Sequence, residues 1–103
     1  DDAPQTVANF LNLLDDFENS IVHRSIDGFV IQGGGFTFDA TPGAGLEDVP
    51  TVTPIPNEFS SANSNLAGTI SMGLVANNPN SGTTQWFINT VNNTGLDGDA
   101  ATG

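Results

Sequence analysis

The stretch of sequence that decides the fold runs from residue 22 to residue 35 and reads VHRSIDGFVIQGGG. Residues rich in β-branched and aromatic side chains flank Asp27-Gly28, which predicts two strands, 21–26 and 29–32, joined by a tight turn. The glycines 33–35 are expected to end the second strand, where the chain bends or another backbone comes close. The stretch therefore predicts a β-hairpin.

The flanking sequence predicts one helix and further strands. Pro4 in a first turn behind the carboxylate of Asp2, followed by apolar residues three and four apart, predicts an amphipathic helix over 4–17. Four prolines between residues 39 and 57 are typical of a long surface loop. Strands are predicted over 68–75 and 85–90, and no element after residue 91. With neither an internal repeat nor a linker, residues 1–103 are expected to form a single, mainly β domain.

Arg24 is the single lysine or arginine of the chain, set against twelve aspartates and glutamates, for a formal net charge of −11 at pH 7. Because no basic patch can form, nucleic acid and anionic membrane surfaces are excluded as partners. A neutral or cationic polypeptide remains favoured. A lone cation is a candidate for a specific task, and the alternative is a strand arginine that satisfies a neighbouring carboxylate.

Other features of the composition narrow the chemistry. The absence of cysteine excludes disulfides, zinc-thiolate sites and thiol catalysis. No apolar run approaches the ~20 residues that span a bilayer, so no membrane insertion is expected. The first residues lack the features of a signal peptide. The compartment stays undetermined, although scarce lysine favours an exported setting. A third interpretation, a calcium-stabilised adhesion or structural segment at Asp97-Gly98-Asp99, is the weakest alternative, because a calcium loop needs further acidic ligands. No metal or cofactor is expected.

Several motifs resemble those of the cyclophilin peptidyl-prolyl isomerases, in the same order and with closely similar spacing. They are TVANF at 6–10, HR at 23–24 with GFVIQGGG at 28–35, GTISM at 68–72, QWFIN at 85–89 and LD at 96–97. The resemblance runs from about residue 1 to residue 97. It implies an antiparallel β-barrel with a capping helix, and an enzyme that isomerises X–Pro bonds in polypeptides and so assists their folding.

The chemistry of that reaction suits the residues present. An X–Pro bond rotates slowly because amide resonance must be broken, at a barrier of ~18–20 kcal/mol. A guanidinium beside the prolyl nitrogen can donate a hydrogen bond to the pyramidal form alone, which stabilises the transition state selectively. Arg24, Gln32 and Phe29 are the predicted catalytic residues. By resemblance, the predicted substrate-binding residues are Val30, Gly73, Leu74, Gln85, Phe87 and Leu96.

Three departures from the family pattern favour a second interpretation. Gly95 stands where the family commonly has an aromatic residue, Leu74 stands where an asparagine is frequent, and no histidine follows in residues 98–101. These changes predict that the socket for the proline ring is shallower. Binding of peptides, and of the cyclic-peptide inhibitor typical of the family, should therefore be weaker. The alternative function is therefore a low-activity or inactive peptide-binding or scaffold module, or an assembly subunit. Taken alone, without Arg24 and Gln32 nearby, Phe29 and Phe87 would be ordinary core residues. His23 is expected to be buried beside Arg24, and Trp86 to point into the core.

The resemblance also predicts a barrel that is incomplete at both ends. Strands that would pair with the central ones are expected to come from the parent chain or from another chain. Because open edges and apolar faces are unfavourable in water, the 103 residues alone are expected to unfold, aggregate or assemble, with little isomerase activity. Size-exclusion chromatography with amide hydrogen exchange checks this expectation, and a monodisperse, well-protected monomer would contradict it.

Overall fold

The fold is an antiparallel β-sheet with one helix. The computed structural model describes residues 3–39, 41, 43, 45–50, 52–60, 63–75, 78 and 80–97. In chain order the elements are α1 (Pro4–Asn12), β1 (Ser20–Ser25), β2 (Val30–Asp39), β3 (Gly45–Asp48), β4 (Ile70–Met72), β5 (Trp86–Asn89) and a 3₁₀ turn (Thr94–Leu96). The strands lie in the order β1-β2-β5-β4, and β3 also pairs with β2. The predicted mainly β, antiparallel architecture is confirmed. Within the described residues the sheet is not closed into a barrel.

The predicted hairpin is present as β1 and β2, which pair antiparallel with Arg24 directly opposite Gln32. The turn between them is tight, since the amide of Ile26 donates to the carbonyl oxygen of Val30 at 3.0 Å. Gly28 has a φ of +67°, a left-handed conformation that favours glycine. The sequence Asp27-Gly28 is therefore matched to the backbone it adopts.

The glycine run does not end β2, contrary to the expectation, because the strand continues through it to Asp39. The glycines serve close approach. A Cβ atom at Gly34 would lie 2.5 Å from the carbonyl oxygen of Thr84 and 2.6 Å from Cδ1 of Trp86. A Cβ atom at Gly33 would lie 2.9 Å from the Trp86 ring. Because any side chain at these two positions would collide with the Trp86 indole, β2 can pass beside it only with glycine there.

Other predicted boundaries are also corrected. The helix ends at Asn12 rather than at residue 17, and three carboxylates follow between residues 15 and 18, where the negative end of a helix dipole disfavours them. The supposed loop 39–57 contains β3, which pairs with the extension of β2 through Phe38 and Leu46. The strands predicted over 68–75 and 85–90 are shorter, and a 3₁₀ turn lies after residue 91. Residues 98–103 lie outside the described part.

The first turn of α1 is capped from a distance. Its N-cap residue is Ala3, which has no side-chain cap, and Asp2 lies outside the described residues. The carboxylate of Glu58 accepts instead, from the amide of Gln5 at 3.1 Å and from the amide and hydroxyl of Thr6 at 2.6 and 2.7 Å. An anion at this position is stabilised by the free amides and by the helix dipole.

Much of the apolar surface is not covered by the described residues. The buried apolar side chains among them are Leu13, Val30 and Val49. Val7, Leu11 and Leu14, which are three and four residues apart, are 40%, 57% and 50% exposed. This surface fits an incomplete barrel. The described part of the chain contains no helix long and apolar enough to cross a membrane.

The Glu58 cap predicts a pH-dependent contribution to stability. Burial alone raises the pKa of Glu58, but the hydrogen bonds from Thr6 and Gln5 outweigh it and hold the pKa below the ordinary value of 4.5. Because the folded pKa is the lower one, the stabilisation is complete above the unfolded pKa and is lost as pH falls through the folded pKa. We expect Glu58→Gln to lower the free energy of unfolding at pH 7 by about 1 kcal/mol, and by much less at pH 3.

Urea unfolding at the two pH values measures this difference, on the chain alone or fused to barrel-closing strands if the chain self-associates. Glu47→Gln is the matched control, because Glu47 is an exposed carboxylate on β3. An equal loss of stability in the two variants, or a Glu58→Gln loss that persists at pH 3, would contradict the capping role.

Candidate active site

Arg24 sits at the start of a relay of three side chains. Its Nη1 donates to Oε1 of Gln32 at 3.3 Å, and Nε2 of Gln32 donates to Oε1 of Gln85 at 2.8 Å. The guanidinium carbon also lies 5.8 Å from the centre of the Phe29 ring, within the range of a cation–π contact. The partner of the arginine is thus an amide and an aromatic face, and the guanidinium itself is exposed.

A cavity of about 460 Å³ lies beside this relay. Eight of the nine residues predicted from the sequence line it: Arg24, Phe29, Val30, Gln32, Gly73, Leu74, Phe87 and Leu96. The ninth, Gln85, does not line the cavity and lies behind Gln32, which it holds. The structure therefore brings together residues from three strands, β1, β2 and β5, and from the segments that follow β4 and β5.

The cavity has an apolar floor and an open rim. Val30 is only 2% exposed, while Phe29 and Phe87 are half-buried. Leu74 and Leu96 are 41% and 40% exposed and form the rim. Such a surface suits a small apolar ring that enters from solvent.

Trp86 and His23 adjoin predicted site residues in the sequence, and neither was expected to touch substrate. Trp86 packs over Gly33 and Gly34, on the other face of β5 from Phe87, as its position in the strand predicts. Like Phe87, it is half-buried. His23 was expected to be buried beside Arg24, and this is wrong. It is exposed, and its ring meets the Phe36 ring edge-on at 5.1 Å, because alternate residues of a strand point to opposite faces.

One wall of the cavity was missed from the sequence. It consists of residues 55–59, together with Ala3 and Thr6 of the helix start. The amide of Ile55 donates to the carbonyl oxygen of Gly82 at 2.9 Å, and the amide of Asn57 donates to Oδ1 of Asn80 at 2.9 Å. Glu58 then ties the wall to α1. The prolines at 54 and 56 marked a loop, but nothing local indicated where it docks.

Polar residues beneath the cavity were also missed. Asn65 and Ser71 line it, and Asn65 is only 8% exposed. The carboxylate of Asp97 accepts from the hydroxyl of Ser64 and from the amide of Asn65, and these hydrogen bonds hold the pKa of Asp97 below its ordinary value. No role was predicted for this segment from the sequence, because its contacts with Asp97 join residues 32 and 33 apart.

The arrangement provides one strong hydrogen-bond donor at the edge of an apolar pocket. Arg24 and Glu58 are the charged residues among those that line it, and the Glu58 carboxylate is occupied by the helix. Arginine stays protonated at any working pH and keeps several N–H groups, of which Gln32 uses one. The site can therefore stabilise a developing lone pair without transferring a proton.

Comparisons with known proteins identify the family of the chain. The family model of the cyclophilin type peptidyl-prolyl cis-trans isomerases matches residues 1–102. Peptidyl-prolyl cis-trans isomerase B of Escherichia coli is 42% identical over 95 residues, which cover 90% of this chain and 54% of that protein. Peptidyl-prolyl cis-trans isomerase cyp18 of Streptomyces antibioticus is 39% identical over 94 residues, which cover 89% of this chain and 52% of that protein.

A solved structure is similar over most of the described fold. The crystal structure of a Cryptosporidium parvum cyclophilin type peptidyl-prolyl cis-trans isomerase, in the presence of the dipeptide Ala-Pro, has a TM-score of 0.71 and 29% identity. The alignment covers 94% of this chain and 61% of that one. The chain spans about half the length of the curated relatives it matches, 54% and 52% for the two above. On its family match, its relatives and its fold, the chain belongs to the cyclophilin-type peptidyl-prolyl cis-trans isomerase family.

Proposed function

We propose that this chain carries the active site of a peptidyl-prolyl cis-trans isomerase that acts on X–Pro bonds in flexible polypeptides. The observation that supports it best is the Arg24 guanidinium, held by Gln32 at 3.3 Å on the edge of the apolar cavity. Residues 1–103 form, in this proposal, one partial cyclophilin-like domain. Its partners are proline-containing polypeptides and the strands that complete the barrel, from the same chain or from another.

The mechanism follows from the contacts of Arg24. Rotation about the X–Pro bond localises a lone pair on the prolyl nitrogen, and a free N–H of Arg24 donates to that lone pair. The planar ground state offers no such acceptor, so the hydrogen bond lowers the barrier of ~18–20 kcal/mol selectively. Gln32, fixed from behind by Gln85, keeps the guanidinium aimed into the cavity. Phe29, Val30, Phe87 and Leu96 hold the proline ring.

The segment after β4 is proposed to meet the substrate backbone. β4 lies at one end of the described sheet, so its outer edge can pair with an extended peptide. Gly73 follows it, and a Cβ atom there would lie 3.3 Å from Nε2 of Gln32 and from Cβ of Gln85. A larger residue at 73 would press on the relay that holds Arg24. Leu74 adds an exposed apolar rim where a peptide side chain passes.

The alternative, a peptide-binding module with low turnover, is supported by the open side of the socket. A Cβ atom at Gly95 would meet nothing within 4 Å. Among the described residues, no side chain packs against position 95 beside Leu96, so a bound proline would keep one side in water. Weak holding of the ring lowers affinity, although the catalytic donor stays in place.

The proposed role of Arg24 as the hydrogen-bond donor can be tested by substitution. Arg24→Ala should lower kcat/KM for a tetrapeptide with an Ala-Pro bond at least about tenfold, since a charge-assisted hydrogen bond is worth roughly 1.5–3 kcal/mol. Arg24→Lys keeps the charge but loses the planar fork, so it should restore little. A protease-coupled isomerisation assay on a folded form of the chain measures both. Parental activity in a stable Arg24→Ala variant would overturn the assignment.

The open side of the proline socket, beside Gly95, gives another prediction. Gly95→Trp fits the free space and should tighten peptide binding about fivefold, since a well-packed aromatic contributes about 1 kcal/mol. Thr94→Trp is the control, because Thr94 is exposed in the same turn and does not line the cavity. Calorimetry gives the dissociation constants, and the isomerisation assay separates the two functions. Tight peptide binding by the unaltered chain without measurable turnover would favour the binding module.

A further inference from the structure

A chain of amide side chains runs beneath the cavity. Nδ2 of Asn89 donates to Oδ1 of Asn65 at 3.1 Å, and Nδ2 of Asn93 donates to Oδ1 of Asn89 at 2.9 Å. Nδ2 of Asn65 in turn donates to Oδ1 of Asp97 at 2.8 Å. We call these four residues, Asn65, Asn89, Asn93 and Asp97, the amide network.

The amide network touches three parts of the cavity wall. At one end, Nδ2 of Asn93 donates to the carbonyl oxygen of Phe29 at 2.9 Å. In the middle, Oδ1 of Asn65 accepts from the hydroxyl of Ser71 at 2.6 Å. At the other end, Asp97 directly follows Leu96, a rim residue. Phe29 and Leu96, which both line the cavity, are thus connected through the hydrogen bonds of the amide network and the peptide bond between Leu96 and Asp97.

The side chains of Asn65 and Asn89 are buried, so losing their hydrogen bonds would cost free energy. Asn89 is 0% exposed and Asn65 is 8% exposed, and burying an unbonded amide would be costly. Among the described residues, every buried side-chain nitrogen and oxygen has a partner. A β-branched residue would be the usual occupant of a buried strand position such as 89. A fully satisfied polar network gives orientation that an apolar core does not, because each bond has a defined direction.

Leu96, at the rim of the cavity, has little support from the residues next to it in the sequence. Leu96 lies in a 3₁₀ turn of three residues, and no side chain stands at Gly95 to pack it. The carboxylate of Asp97 is bound by the amide and side chain of Asn65 and by the hydroxyl of Ser64. This rim is therefore attached by the amide network together with one backbone hydrogen bond, from the amide of Asn93 to the carbonyl oxygen of Asn65 at 2.7 Å.

We propose that Asn65 and Asn89 are positioning residues for the proline socket, which set the separation of Phe29 and Leu96 through the amide network. This inference rests on the proposed function, since the socket is the one assigned there to proline. The network touches neither Arg24 nor the reacting bond. Its loss should therefore weaken peptide binding in the ground state and in the transition state alike, which raises KM and leaves kcat nearly unchanged.

The test compares Asn89→Ala with Asn92→Ala. Asn92 is an exposed asparagine three residues later, outside the network, which accepts only from the amide of Ala67 at 3.0 Å. Asn89→Ala should raise KM for the Ala-Pro tetrapeptide at least about fivefold and change kcat less than about twofold. Asn92→Ala should change neither. A merely structural role would reduce the folded fraction, which lowers apparent kcat and leaves KM as it was.

A second variant tests the network even if Asn89→Ala does not fold. Asn93→Ala removes the donor to the Phe29 carbonyl oxygen and to Oδ1 of Asn89 but keeps the bonds among Asn65, Asn89 and Asp97. Asn93 is half-buried, so this variant should fold and still raise KM, by about twofold to threefold. Combined with Asn65→Ala it should add less than the two single effects together, because the residues share one network. Unchanged KM in folded Asn93→Ala, or fully additive effects, would overturn the proposal.

The same variants separate this inference from the proposed function. If the unaltered chain shows no turnover but binds the tetrapeptide, the isomerase assignment fails and calorimetry still tests the network. In that case the dissociation constant should rise at least about fivefold in Asn89→Ala and not in Asn92→Ala. If Arg24→Ala loses activity while the dissociation constant stays the same in all the network variants, the isomerase assignment stands and the positioning role is wrong.

Discussion

The register of β2 against its neighbours determines where every functional side chain lies. Arg24 pairs with Gln32 across β1 and β2, Gln32 pairs with Phe87 across β2 and β5, and Phe87 pairs with Ser71 across β5 and β4. The four side chains form one row across the sheet, and all four line the cavity. A slip of β2 by one residue would turn Gln32 to the other face of the sheet and break the row. The glycines of β2 oppose such a slip, because only there can the strand pass the Trp86 indole.

The row also explains why a single cation is sufficient. The guanidinium is placed by a neighbouring amide and an aromatic ring, so its orientation does not depend on an ion pair. A carboxylate partner would compete with substrate for the N–H groups and would partly cancel the charge. In a chain with a net charge of −11, an arginine held by neutral groups keeps its donors available.

How much could be predicted from the sequence depended on how local each interaction is. The hairpin and its Asp27-Gly28 turn are local, and both were predicted. Arg24 and Gln32 were predicted as site residues, and their pairing across the hairpin came from the structure. The strand β3 was missed because prolines and glycines concealed a pairing with the far half of β2. Gln85 was assigned to the substrate, yet its role behind Gln32 needs the contact of residues 53 apart. The buried asparagines were not predicted to contribute to the site: Asn89 lay in a predicted strand with no role assigned, and the burial of Asn65 depends on contacts with residues distant in sequence.

The cap on α1 has a consequence for the order in which the chain folds. The helix begins at Pro4, but the carboxylate that binds its free amides is 53 residues from Gln5 and 52 from Thr6. Glu58 is synthesised well after the helix segment, and a nine-residue helix has little stability of its own. Because the cap comes from the cavity wall, we expect the native helix to become stable only once that wall has docked. Until then residues 4–12 are an uncapped amphipathic stretch of nascent polypeptide, whose exposed apolar side chains favour association with other chains.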